Sequence, residues 1–252
     1  MATIYEKKEK VAYITISRPE ALNAMDQVTW DSFFAAVEDF GRDDDAWVLI
    51  VTGAGDKAFS AGADLKSIVP SLATGETTAP PTIWFKDLYK PIIAAVNGFC
   101  FAGAMEIVLA TDIRVASENA VFGQTEAKWG IQPAGGAPTR LPRCISWCHA
   151  MEILLTADMF SAQEAYRMGL VNRVVPLNEL MPTAERFARK ICENGPLAVR
   201  AIKEAAMRSL NTPLDQALAL EYFMGQKVFA TKDAEEGPRA FSEKRKPVFR
   251  GN

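Results

Sequence analysis

Residues 91–136 read PIIAAVNGFCFAGAMEIVLATDIRVASENAVFGQTEAKWGIQPAGG, and the fold turns on how this stretch is parsed. Ile92 to Val96 form a short apolar run of the kind a buried strand needs, and Asn97-Gly98 interrupts it with turn chemistry. Gly103 then opens an apolar helix predicted over residues 104–110, which places its backbone N–H among the unpaired donors at the positive end of the helix. Glu106 follows three residues on, about one turn along the same face. A second acid, Glu126, comes 20 residues after Glu106, beyond a predicted strand at 113–116 and a bend at Phe122-Gly123-Gln124. The parse brings two carboxylates and one backbone donor within reach of a common point.

Paired carboxylates suit proton transfer, and a backbone donor at a helix start suits a developing oxyanion. Together they describe chemistry beside a carbonyl group. The competing reading is two solvated surface glutamates, the usual fate of this residue type. Against it stand the apolar helix around Glu106 and the Gly/Pro-rich loop that follows Glu126.

Working outward, residues 11–17 (VAYITIS) alternate and are β-branched, predicting a strand that Arg18-Pro19 ends. Asp26 caps a predicted helix running to about Phe40, with Val28, Phe33, Phe34 and Val37 on its apolar side. Residues 47–52 (WVLIVT) are continuously apolar, as in a strand covered on both faces. Residues 59–65 supply a small-residue loop where backbone can approach a ligand, and residues 71–81 (SLATGETTAPP) read as a polar, proline-broken loop. Three β–α alternations thus precede Gly136 and predict a layered α/β fold. Beyond it the pattern predicts helices at 146–156, 161–168 (Ser161 and Glu164 forming a capping box) and 180–194, with a short strand at 171–175. From Gly195 the chain turns mainly helical, over 196–210, 213–230 and 234–244. We therefore divide it into an α/β core over 1–194 and a C-terminal helical subdomain over 195–252.

The composition is that of a soluble globular protein: 252 residues, 49% hydrophobic, 23% charged, net charge −3. It lacks the basic excess that nucleic acid would favour and any apolar run of membrane-spanning length, so neither nucleic acid nor a membrane is an expected partner. The N-terminal residues carry Glu6-Lys7-Lys8-Glu9-Lys10 rather than a targeting pattern, and the expected location is cytoplasmic. Cys144, Cys148 and His149 invite a zinc reading, with the two cysteines four apart on a predicted helix, but no fourth ligand lies nearby and no metal is expected. His149 is the only histidine, so any Ser-His scheme would have to use it.

At these residues the chain resembles the crotonase (enoyl-CoA hydratase/isomerase) superfamily. The likeness runs from Ser17-Arg18-Pro19-Glu20 and Leu22-Asn23-Ala24, through Phe59-Ser60-Ala61-Gly62-Ala63-Asp64-Leu65 and the central stretch, to Glu243-Lys244-Arg245-Lys246-Pro247. The resemblance implies a spiral ββα-superhelix core and an acyl-CoA substrate whose thioester carbonyl sits between the backbone N–H groups of Ala63 and Gly103. It implies that Glu106 and Glu126 hold a water and shuttle protons, and keeping both acids favours reversible syn hydration of an enoyl-CoA. It further implies coenzyme A contacts at Ala24, Ala61, Asp64, Leu65 and Lys66, with Phe229 and Lys244 from the helical tail, coenzyme A being part of the substrate and no separate cofactor being needed. Homotrimers or homohexamers are the implied assembly.

The chain departs from the family pattern at Ala104 and Met105, where many members have Gly and Cys, and at residues 133–140 (PAGGAPTR). Ala134 keeps an N–H for the catalytic water but adds a methyl beside it. Trp129, Trp84 and Phe85 are candidates for shaping the acyl pocket. Two other readings stand beside hydration: another reaction of the superfamily, such as isomerisation or hydrolysis, and a non-catalytic acyl-CoA-binding protein.

Overall fold

The computed structural model describes residues 2–64, 66, 84, 85 and 87–252. Leu65 and the 71–81 loop lie outside the described residues. A six-stranded sheet forms the floor of the molecule, in the order β1 (Thr3–Lys8), β2 (Val11–Ile16), β3 (Val48–Gly53), β5 (Ile92–Val96), β7 (Ile113–Ser117), β10 (Arg173–Val175). Apart from the antiparallel β1–β2 hairpin, every neighbour in it is parallel. A smaller sheet orders β4 (Ala58–Ser60), β6 (Phe99–Phe101), β8 (Val121–Gly123) and β9 (Met159–Ser161). Successive pairs β3/β4, β5/β6 and β7/β8 each give their first strand to the large sheet and their second to the small one. The chain therefore winds as a ββα spiral, where the sequence pattern alone predicts simple β–α alternation. The second strands escape that reading because each is only three residues long.

Side-chain alternation explains why β3 and β5 are apolar throughout. Leu49, Val51, Ile92 and Ala94 face one core cluster, while Val48, Ile50, Ile93 and Ala95 face another. Helix α1 (Gln27–Arg42) covers the first with Phe33, Ala36 and Phe40, capped by Asp26 accepting from Thr29 N–H. The expected face of α1 is corrected here: its buried residues are Thr29, Phe33, Ala36 and Phe40, whereas Val28 and Phe34 are exposed. Helix α6 (Leu177–Cys192) covers the second cluster with Leu180, Ala184 and Ala188, starting three residues earlier than its pattern predicts.

Between them lie α2 (Gly103–Leu109), α3 (Ala137–Cys144), α4 (Trp147–Thr156) and α5 (Ala162–Arg167), the last with the expected Ser161/Glu164 capping box. Cys144 closes α3 and Cys148 lies in the first turn of α4, so the single helix expected to carry both is absent; both are exposed. Among the described residues no cluster of three or more potential metal ligands occurs. Among them, too, no helix is long and apolar enough to cross a membrane.

Helices α7 (Pro196–Ser209), α8 (Leu214–Phe229) and α9 (Lys232–Ser242) complete the chain. The mostly buried Lys203 ties α7 to the core, donating to Asp112 Oδ2 at 2.7 Å and to the Lys90 carbonyl at 2.9 Å. The last residues fold back, with Asp233 accepting from the N–H groups of Arg250 and Gly251.

Candidate active site

Two buried asparagines fix the first loop of the site. Asn23, fully buried, accepts from Arg18 N–H and donates to the carbonyls of Ala54 and Ala58. Asn97 accepts from Gly53 N–H and donates to the carbonyls of Gly55 and Ala58. With their amides satisfied, these side chains hold the 54–58 turn that leads through β4 into residues 61–64. That loop is laced to residues 22–25: Ala61 N–H donates to Leu22, Asp64 N–H to Met25, and Met25 N–H to Gly62. Arg18 completes it, bonding the Ala24 carbonyl at 2.7 Å and pairing with Asp64. The family motif residues Ala24, Ala61, Ala63 and Asp64 thus form one wall, with exposed Lys66 following; Lys66 N–H donates to Asp64 Oδ1.

Gly62 lets the second loop meet the first. Its φ is +89°, and a side chain there would strike the Phe101 carbonyl at 2.7 Å. Across this contact Ala102 takes φ 52°, ψ −126°, strained backbone for a non-glycine residue, and launches α2. The point where a Gly103 Cβ would sit is 4.0 Å from Ala63 N and 3.8 Å from the Trp30 ring. The two predicted donors are therefore neighbours beneath an aromatic wall.

One turn into α2, Glu106 is only 4% exposed. Its Oε1 accepts from Gly135 N–H at 2.8 Å and Ala137 N–H at 3.0 Å. Gly135 is obligatory for this arrangement, because a Cβ would come within 2.5 Å of both Glu106 Oε2 and Trp84 Nε1. Burial pushes the Glu106 carboxyl up to about 7, with the two backbone donors opposing the rise and the Glu126 charge adding to it. Glu126 opens a short 3-10 turn (Glu126–Trp129), and both its oxygens accept from buried Gln124 Nε2, at 2.8 and 2.9 Å. Burial raises its carboxyl too, against the Gln124 bond. Two acids, each raised by burial, thus lie close enough for the Glu126 charge to act on Glu106. This constellation can give and take protons beside a stabilised oxyanion.

Ala134, next to Gly135, is exposed. Among the pocket-shaping candidates Trp84 and Phe85 are buried, while Trp129 is 65% exposed. Phe229 and Lys244 are both exposed on the tail, Phe229 as the last residue of α8 and Lys244 just beyond the end of α9. The Lys244 backbone N–H donates to the Phe241 carbonyl at 3.2 Å, which closes the end of α9. Sequence reasoning missed Gln124, the Gly135 and Ala137 donors, and the asparagine pair. Only Asn23 had a signal, its place in the Leu22-Asn23-Ala24 motif.

The comparisons identify the family. The family model described as enoyl-CoA hydratase/isomerase matches residues 6–252. A crotonyl-CoA hydratase of Syntrophomonas wolfei is 41% identical over 252 residues, covering 98% of this chain and 96% of that one. A short-chain-enoyl-CoA hydratase of Clostridium acetobutylicum is 42% identical over 249 residues, covering 96% and 95%. Among solved structures, an enoyl-CoA hydratase from Bacillus anthracis superimposes with a TM-score of 0.92 at 34% identity, with 100% of both chains covered. With fold, motif order and nearly the whole length in agreement, this chain belongs to the enoyl-CoA hydratase/isomerase family.

Proposed function

We infer that this protein is an enoyl-CoA hydratase, adding water reversibly across the 2,3 double bond of an enoyl-CoA thioester. The observation that carries the reading is the buried Glu106 carboxyl, held by two backbone donors with the Glu126 carboxyl close by. The thioester oxygen lies between the N–H groups of Ala63 and Gly103, which stabilise the enolate as negative charge moves onto it. Water sits between the carboxyls. Its oxygen bonds to C3, its proton passes to one carboxylate, and the other carboxylic acid protonates C2. Loss of water runs the same steps backwards. The two carboxyls, two backbone donors and the thioester supply this chemistry without a resident cofactor, coenzyme A entering as part of the substrate.

The names of the two relatives, crotonyl-CoA and short-chain-enoyl-CoA hydratase, support a short acyl chain. Purified protein is expected to hydrate crotonyl-CoA to 3-hydroxybutyryl-CoA, read by loss of the enoyl-thioester absorbance and by mass. Free coenzyme A as the product would establish hydrolysis instead, and binding without turnover would establish a non-catalytic protein.

We read the tail, residues 195–252, as the assembly element and the source of further coenzyme A contacts at Phe229 and Lys244. Ile202, Leu210, Leu218, Tyr222 and Phe229 expose apolar surface along α7 and α8. Such surface on a chain end with little core of its own is expected to be covered by another copy. A trimer or hexamer is the expected mass by light scattering, and a monomer at micromolar concentration would refute it. A cytoplasmic location belongs to the same reading.

A further inference from the structure

Trp84 is a buried side chain beside Glu106 that the hydration scheme leaves without a task. It is only 5% exposed, and among the described residues its indole Nε1–H has no hydrogen-bond acceptor. Leaving such a buried donor unpaired is costly, so its placement calls for a partner. The ring is held from several sides. Phe34 stacks on it at 5.6 Å with an interplanar angle of 8°, and Trp30 packs at 5.3 Å. The Trp84 carbonyl accepts from Arg140 Nη2 at 3.4 Å, which links it to α3. The faces are thus occupied, and the N–H edge is turned toward Gly135. The point where a Gly135 Cβ would sit is 2.5 Å from both Trp84 Nε1 and Glu106 Oε2. Glu106 Oε1 is already committed to the Gly135 and Ala137 N–H groups, so Oε2 is the oxygen left for chemistry.

We propose that Trp84 is a positioning residue for Glu106: its indole N–H, unpaired among the described residues, closes onto the adjacent Oε2 when Glu106 ionises, aiming the remaining lone pair of that oxygen at the reacting water. The proposal deepens the hydratase reading and rests on it for its kinetic test alone. The glycine at 135 then has a second use, since only the absence of a side chain lets indole and carboxylate approach. The charged groups near Glu106 are Glu126, which opposes its ionisation, and Arg140 on α3, whose guanidinium the Glu106 charge stabilises. Trp84 is an uncharged donor that favours the ionised form alongside the backbone.

Trp84→Phe keeps the aromatic packing and removes only the donor. In that variant the acid limb of the kcat profile is expected to move up by about one pH unit, because a hydrogen bond to a charged acceptor is lost. At pH 6 kcat is expected to fall about tenfold while KM changes less than about twofold. An unmoved acid limb, including a raised KM alone, would overturn the proposal and leave Trp84 a pocket wall. A second measurement needs neither turnover nor the variant's folding. With 15N-labelled tryptophan at position 84 alone, the indole proton of the otherwise unaltered protein should move downfield as Glu106 ionises, and should not do so in Glu106→Gln. No downfield movement would overturn the proposal even if crotonyl-CoA is hydrated; movement in a protein that hydrates nothing would sustain the contact and refute only the hydratase reading.

Discussion

Glu106→Gln and Glu126→Gln are each expected to lower kcat for crotonyl-CoA hydration by at least about a thousandfold, and the double variant to be scarcely worse than the poorer single. In the proposed scheme the two acids act on one water, so removing either would end the same proton circuit. Additive losses, or near-normal hydration by either single variant, would show that they do not work as a pair. The pH dependence follows from the burial of Glu106. Hydration needs a carboxylate to take the water's proton, so with a carboxyl raised to about 7 the hydration rate should fall as pH drops below 7.

Stability should respond in the opposite sense. The folded chain binds this proton more tightly than the unfolded chain, whose carboxyl has its ordinary value of 4.5. Stability from the protonated form is therefore full below about 4.5 and declines as pH rises toward 7. Glu106→Gln, neutral at every pH and still able to accept from Gly135 and Ala137, should be no less thermally stable than the parent at pH 8. A collapse of the fold in this variant would mean that its activity loss says nothing about catalysis.

How much of this was legible in the chain depended on the range of the interactions. Residues 92–96 and 48–52 announce themselves as strands buried on both faces because nearly every residue is apolar. The capping box at Ser161 and Glu164 is equally local. The face of α1 was not, because both Phe33 and Phe34 are apolar and only the sheet decides which is buried. Phe34 instead lies against Trp84, a contact across 50 residues. Strands β4, β6 and β8 carry too few residues for any periodicity, and it is their pairing with one another that defines the spiral. The acids could be located by motif, but their environment could not. The N–H groups holding Glu106 belong to Gly135 and Ala137, about thirty residues on, where sequence shows only Gly-rich loop.

The oxyanion donors give the sharpest separation of binding from catalysis. Gly103→Val is expected to abolish detectable hydration, at least about a thousandfold, while the protein still folds. The structure supports both halves of that expectation. A Cβ at Gly103 makes only ordinary contacts, 3.8 Å from Trp30 and 4.0 Å from Ala63 N, and the backbone there is not left-handed. Beyond that point the methyls of valine would crowd the region beside the Ala63 donor and the Trp30 ring, where the proposed scheme places the thioester oxygen. Loss of one oxyanion donor typically costs about 3–4 kcal/mol in the barrier, and here the acceptor is excluded from both. An unchanged circular dichroism spectrum and oligomer mass would establish the fold. Coenzyme A itself should still bind, since the loops at residues 24 and 61–66 are untouched. Full activity in the folded variant would remove Gly103 from the oxyanion hole, and Ala63 would lose its assigned partner with it.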